Sequence, residues 1–83
     1  FADQKLLEDF FGRFLANEKF QEAEDLFDVY EANRFGEKET LLLKSRLLRT
    51  KGDAQKAKSI IDLAIKNGFG QEPSVMMELA RIH

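Results

Sequence analysis

Two stretches decide how this chain folds: Ala23-Glu24-Asp25-Leu26-Phe27-Asp28-Val29-Tyr30-Glu31-Ala32-Asn33-Arg34-Phe35-Gly36 and Ala57-Lys58-Ser59-Ile60-Ile61-Asp62-Leu63-Ala64-Ile65-Lys66-Asn67-Gly68-Phe69-Gly70. Laid over each other at an offset of 34 positions, they share an Ala at Ala23 and Ala57 and a bulky pair at Leu26-Phe27 and Ile60-Ile61. They also share a closing Asn-x-Phe-Gly, from Asn33 to Gly36 and from Asn67 to Gly70. The same offset carries upstream, where Leu7 falls on Leu41 and Phe14 on Leu48. So many like-for-like matches are hard to reach by chance in 83 residues. Self-similarity with a period of about 20 to 50 residues marks a stacked repeat, because one such unit cannot bury its apolar face alone. A period of about 34 is the length of a helical pair.

Each unit divides into two helices. Between Gln4 and Ala16, the residues Leu7, Phe10, Phe11 and Phe14 recur at helical spacing, which makes one apolar stripe. Asn17 is expected to close that helix in the left-handed conformation. A second stripe of Phe20, Ala23, Leu26, Phe27 and Tyr30 runs to Asn33, after which Phe35-Gly36 turns the chain. Unit two opens with a helix from about Glu37 to Thr50 that stops at Gly52. Asp53 then suits the N-cap of the next helix, since its carboxylate accepts from amide hydrogens that a first turn leaves unpaired. On this helix Ala57, Ile60, Ile61, Ala64 and Ile65 are expected to face inward, and Asn67-Gly68 ends it with residues that tolerate positive φ. Pro73 suits the first turn of a last helix, about Pro73 to Ile82, with Val75, Met76, Leu79 and Ile82 as its stripe. The expected organisation is one domain over 1–83: unit one at about 4–37, unit two at about 38–71, and a final or capping helix at about 72–83. The missing initiator Met suggests a piece of a longer chain.

These positions resemble the tetratricopeptide repeat. In that family a bulky residue opens the first helix, a large one closes it, a Gly makes the turn, and small, bulky and small residues line the second helix. Unit two carries Leu41, Leu48, Gly52, Ala57, Ile61 and Ala64 there, with small Ser45 where the two helices come closest. Unit one carries Leu7, Phe10, Phe14, Phe20, Ala23 and Phe27. It departs at Phe11, where a small residue is usual, at Glu18 in place of the turn Gly, and at Tyr30 in place of the later Ala, which implies a distorted helix crossing. The resemblance spans roughly residues 4–82. It implies an all-α fold, antiparallel helix–turn–helix repeats stacked as a short right-handed α-solenoid of five helices. It also implies a concave face, lined by first helices, that grips a peptide or a helix.

Composition narrows the classes that remain. With 43% hydrophobic and 34% charged residues, five Gly and one Pro, the chain is too apolar for disorder and too poor in turn formers for an all-β fold. It has no Cys, so neither a disulfide framework nor a thiolate site is available, and the compartment stays open. The longest uninterrupted apolar run, Leu41-Leu42-Leu43, is far too short for a membrane span, and the start at Phe1 shows no charged region followed by an apolar one that would suggest a signal peptide. The expectation is a protein without catalytic, cofactor-binding or metal-ligating residues. His83 is the only His and the last residue, and the acids Glu22, Asp25 and Asp28 lie opposite the Phe stripe, where nothing perturbs them. Gly36, Gly68 and Gly70 read as helix stops and not as a phosphate loop.

Function must then be argued from surface. The first-helix side chains expected to point away from the paired second helices are Lys5, Glu8 and Gly12 in unit one, Leu42, Arg46 and Arg49 in unit two, and Met76, Met77 and Ala80 in the last helix. Of these, Lys5, Glu8, Leu42, Arg46, Arg49, Met76, Met77 and Ala80 are the candidate partner-binding residues. They form an apolar groove with a basic centre, suited to a protein or peptide ligand that is acidic and partly apolar. A plainer reading makes Arg46 and Arg49 a solvated face near a helix C-terminus, where cations are favoured anyway. In the subset of the family that grips chaperone C-termini, cationic and amide side chains form a clamp; the matching places here hold Glu8, Gly12, Leu43, Pro73 and Met77, which argues against that ligand. Charge is unevenly spread, net −6 over residues 1–31 and net +4 over 32–83. Such asymmetry leaves two alternatives: self-association into a homo-oligomer through an uncapped terminal helix, or nucleic-acid binding by the basic half. A sequence pI of 5.4 and aromatics at core spacing disfavour nucleic acid.

Overall fold

A computed structural model describes residues 3–82, in which the chain is all-helical with no strand. Its helices are α1 (Gln4–Ala16), α2 (Phe20–Ala32), α3 (Glu37–Thr50), α4 (Ala54–Ala64) and α5 (Pro73–Ile82). The readings that concern Phe1 and His83 lie outside the described residues. Two helices begin on aspartates: Asp3 Oδ1 accepts from the Leu6 amide at 3.0 Å, and Asp53 Oδ1 from the Lys56 amide at 3.2 Å. Each satisfies an amide hydrogen that the first turn cannot pair internally.

The turns repeat at the same offset as the sequence. Glu18 and Gly52, 34 residues apart, both take positive φ, +57° and +94°, and so do Arg34 and Gly68 at +53° and +99°. At the first pair of turns the hydrogen bonds also correspond, the Lys19 amide donating to the Phe14 carbonyl at 2.8 Å and the Asp53 amide to the Leu48 carbonyl at 2.9 Å. That bond, from the residue after the left-handed one back across the last turn, closes the helix end. The left-handed residue is Glu18 and not Asn17, whose φ is −99° and whose side-chain amide instead donates to the Arg13 carbonyl at 2.9 Å. At the end of unit one it is Arg34, one residue ahead of the expected Phe35-Gly36 turn. The corresponding turn of unit two widens into a π-type segment, Ile65–Phe69, that contains Gly68.

Two apolar clusters fill the interior. The first joins Phe11, Leu15, Ala23, Phe27 and Tyr30 with Leu43 and Leu47 of α3, and Leu7, Phe14, Phe20, Leu26 and Phe35 pack against it. The second joins Ile61, Ala64 and Val75, with Leu41, Leu42, Phe69, Leu79 and Ile82 around them. Phe35 and Phe69 of the Asn-x-Phe-Gly signature thus plug the two clusters, Phe35 lying with its ring 4.9 Å from that of Tyr30. In the second pair the helices come close at small residues, where Ser45 Oγ donates to the Ala57 carbonyl at 3.2 Å inside the core.

Three residues of the expected stripes lie elsewhere. Phe10 is 40% exposed under the Arg13 guanidinium, while Leu15 takes the buried place. At about 100° per residue, Leu7, Phe11, Phe14 and Leu15 share an arc of about 100° that Phe10 falls outside. Ile65 is exposed because the π-type turn begins there and carries it off the stripe. On α5, Met76 is 58% exposed and Glu78 occupies the buried position between Val75 and Ile82, 6% exposed.

Candidate functional site

The face of α5 that looks toward α3 is set by that last substitution. Val75 and Glu78 are buried, so Ser74, Met77 and Arg81, spaced three and four apart, line up on the next face of the helix. Facing them on α3 are Lys38, Glu39, Leu42, Leu43 and Arg46, and Glu8 of α1 closes one side. These side chains line an open groove of about 380 Å³.

Each charge in the groove has a defined situation. Arg49 Nε donates to Glu78 Oε2 at 2.7 Å, which joins α3 to α5 and neutralises a carboxylate that is almost out of solvent. Burying a carboxylate without such a partner is costly, so this pair is a structural requirement of α5. Lys38 Nζ lies 3.8 Å from Glu39 and 3.5 Å from Glu72, the residue that precedes α5. Glu8 Oε2 accepts from the Tyr30 hydroxyl at 2.7 Å and from Gln4 Nε2 at 3.2 Å. Burial, and then donation to Glu8, pushes the Tyr30 hydroxyl above its ordinary range, so it stays a neutral donor. Arg46 is half-buried and lies over α1 at Gly12, where a Cβ would come within 3.1 Å of Nη2. Neither Arg46 nor Arg81 has a carboxylate within ion-pair distance among the described residues.

Of the candidate residues read from the sequence, Glu8, Leu42, Arg46 and Met77 come together here. Lys5 is exposed on α1 outside the groove, and Met76 and Ala80 are exposed on α5 outside it as well. Arg49 is turned to Glu78, so the groove does not present Arg46 and Arg49 as two adjacent guanidinium groups. Lys38, Glu39, Leu43, Ser74, Glu78 and Arg81 complete the lining and were not among the candidates. Ser74 and Arg81 were readable only as the positions three before and four after Met77, on a face that is recognisable only once Glu78 is known to lie in the buried stripe. Among the described residues no three acidic or metal-ligating side chains converge on one point, and no helix is long and apolar enough to cross a membrane. Comparison with protein-family models, with curated proteins and with solved structures finds no match to this chain.

Proposed function

We propose that this chain is a non-catalytic protein-interaction module of tetratricopeptide-like build that holds a peptide or a helix in the groove between α1, α3 and α5. The 34-residue offset shared by sequence, buried positions and left-handed turns supports two successive copies of one helical pair, with α5 opening a third. Packing of α3 on both α1 and α2, and of α5 on both α3 and α4, is the neighbour-to-neighbour stacking expected of a short right-handed α-solenoid. The observation that carries the functional reading is the groove itself, where Met77 leaves 56% of its surface in solvent beside Leu42 and an unpaired guanidinium. An exposed apolar floor framed by charge suits an adaptable binding surface. Affinity capture on the intact chain tests this: Met77→Glu, at an exposed position of the groove, should abolish retention of a captured protein at unchanged Tm, while Val29→Glu, on the outer side of α2, should not. Equal retention by the groove variant would remove the proposal.

A second reading rests on Met76, Leu63 and Ile65, which stand exposed on α4, α5 and the turn between them and suit contact with a second copy of the chain. Light scattering would then show a mass that rises with concentration. A monomeric mass at all concentrations up to the millimolar range would exclude it.

A further inference from the structure

We infer that the chain forms a two-fold dimer through the outer sides of α2 and α4, in which an acidic stripe on α2 of each copy meets a basic stripe on α4 of the other. The inference is independent of the groove and rests on the self-association reading above, to which it gives a defined contact. On α2, Glu22, Asp25, Val29 and Ala32 are spaced three, four and three apart, so they share one side of the helix, and all four are exposed. The residues 34 positions on, Lys56, Ser59, Leu63 and Lys66, repeat that spacing on α4 and the turn after it, and all are exposed as well. Both stripes lie away from the core, since Ala23, Phe27 and Tyr30 are buried on α2 and Ala57, Ile61 and Ala64 at the equivalent places of α4. Their apolar centres correspond, Val29 and Leu63 both being nearly half exposed, but their charges do not: Glu22 stands where Lys56 does, Asp25 where Ser59 does, and Ala32 where Lys66 does.

The difference in sign extends along both helices. Five acids and no base lie on α2, and among the described residues only Glu24 of these is ion-paired, to Lys51. Residues 54–69 carry Lys56, Lys58 and Lys66 against one acid, Asp62. Of these three lysines only Lys56 has a carboxylate within 4.0 Å among the described residues, Asp53 at 3.7 Å, and with the Lys56 side chain 75% exposed that pair is weak. No acid of α2 is paired with a lysine of α4 in the same copy, among the described residues. Each stripe therefore has its complement on the same molecule but out of reach, which is the condition for a self-complementary surface. A two-fold axis running along α2 and α4, between them, sets each helix on its counterpart in the other copy, with opposite charges at both contacts. An axis across the helices would set α2 on α2 and α4 on α4, with like charges facing. Charge thus fixes the orientation as well as the partner, and Val29 and Leu63 supply the apolar contact. Two contacts of one helix on one helix are at the small end of specific interfaces, so the association is weak and salt-sensitive.

Analytical ultracentrifugation of the whole chain, up to the millimolar range, tests the inference. The mass should rise from one chain to two and no further, and added salt should weaken the association. Glu22→Lys with Asp25→Lys makes both stripes basic, and Lys56→Glu with Lys66→Glu makes both acidic. Each double variant should weaken the dimer by roughly tenfold or more, as like charges then face each other at both contacts. An equimolar mixture of the two should recover a dimer with one of each, because opposite charges meet again. The four positions are exposed, and circular dichroism checks that the variants fold; Val29→Glu replaces one that does not, and should weaken the dimer as well. Double variants that associate as the parent chain does, a mixture that stays monomeric, or a mass that grows past two chains overturns this inference. Where Met76→Glu abolishes association that the double variants leave unchanged, the self-association reading stands without it. A parent chain that is monomeric at every concentration overturns both.

Discussion

At positions 34 residues apart, Phe11 and Ser45 are both buried, as are Tyr30 and Ala64, yet one helical pair fills these places with rings and the other with a hydroxyl and a methyl. The backbone keeps the same left-handed turns in both pairs while the volume between the helices changes. In the first pair Phe11 packs on Phe27 with ring centroids 6.4 Å apart; in the second the helices close until Ser45 reaches the Ala57 carbonyl. Rings bury more apolar area per residue, so the first pair carries the larger core and α3 leans on it through Leu43 and Leu47. The second pair has the smaller core and offers the groove. Stability and binding are thereby weighted toward different ends of a small chain.

The largest expected effect is on the aromatic side of this comparison. Phe11→Ala should cost about 3–5 kcal/mol, enough to unfold much of so small a domain, as a large buried ring is lost. Urea denaturation measures it, and a loss of under about 1 kcal/mol would mean that the ring does not fill the first core. Next comes the tie between α3 and α5. Arg49→Ala should cost about 2–3 kcal/mol because it strands the Glu78 carboxylate, and adding Glu78→Leu should recover most of it. A double variant no more stable than Arg49→Ala alone would show that Glu78 does not need its partner. Charge reversal at Arg49 is therefore expected to lower stability, unlike charge reversal at Arg46.

Smaller effects separate the turns. A non-glycine residue in the left-handed region is strained by about 1–2 kcal/mol, and the extra freedom of Gly in the unfolded chain offsets part of the relief. Glu18→Gly should thus stabilise by about 0.5–1 kcal/mol, whereas Gly52→Ala at the equivalent position should destabilise by about 1 kcal/mol. Equal signs for the two would break the correspondence of the turns. The smallest effect is a pH dependence. The folded-state pKa of Tyr30 lies above its ordinary value of 10.0, so its contribution is fully present below pH 10.0 and declines as pH rises beyond it. Relative to Tyr30→Phe, the parent chain should lose stability only in that alkaline range; a difference that changes between pH 6 and 9, on the order of the ordinary range for other groups, would assign the loss elsewhere.

The helix boundaries were legible because their signals are local: Asp53 caps, Pro73 starts and Gly52 stops a helix through its own backbone chemistry. The repeat offset located the buried Ala23, Phe27, Ala57 and Ile61 for the same reason, since helical periodicity reports a face directly. The left-handed turn at Glu18 was hidden because neither Glu nor Arg advertises positive φ, and only its register with Gly52 gives it away. Phe10 and Leu15 were exchanged because three consecutive-turn Phe residues outweigh one Leu in a hydrophobic count, although angle decides which are buried. Least legible was α5. Its pattern Val75-Met76-Met77-Glu78 offers three apolar residues and one acid, and the acid is buried because Arg49, 29 residues away, meets it. That long-range contact, which no local pattern contains, decides that Met77 and Arg81 line the groove while Met76 and Ala80 do not.

The most direct test uses this last distinction. The chain has two Met residues, adjacent in sequence, so methyl-labelled methionine gives one NMR signal for each. On titration with a peptide that the chain retains, the Met77 methyl signal should shift and saturate while that of Met76 holds its position. A shift confined to Met76, or no shift at either methyl in the presence of a bound peptide, would contradict the account.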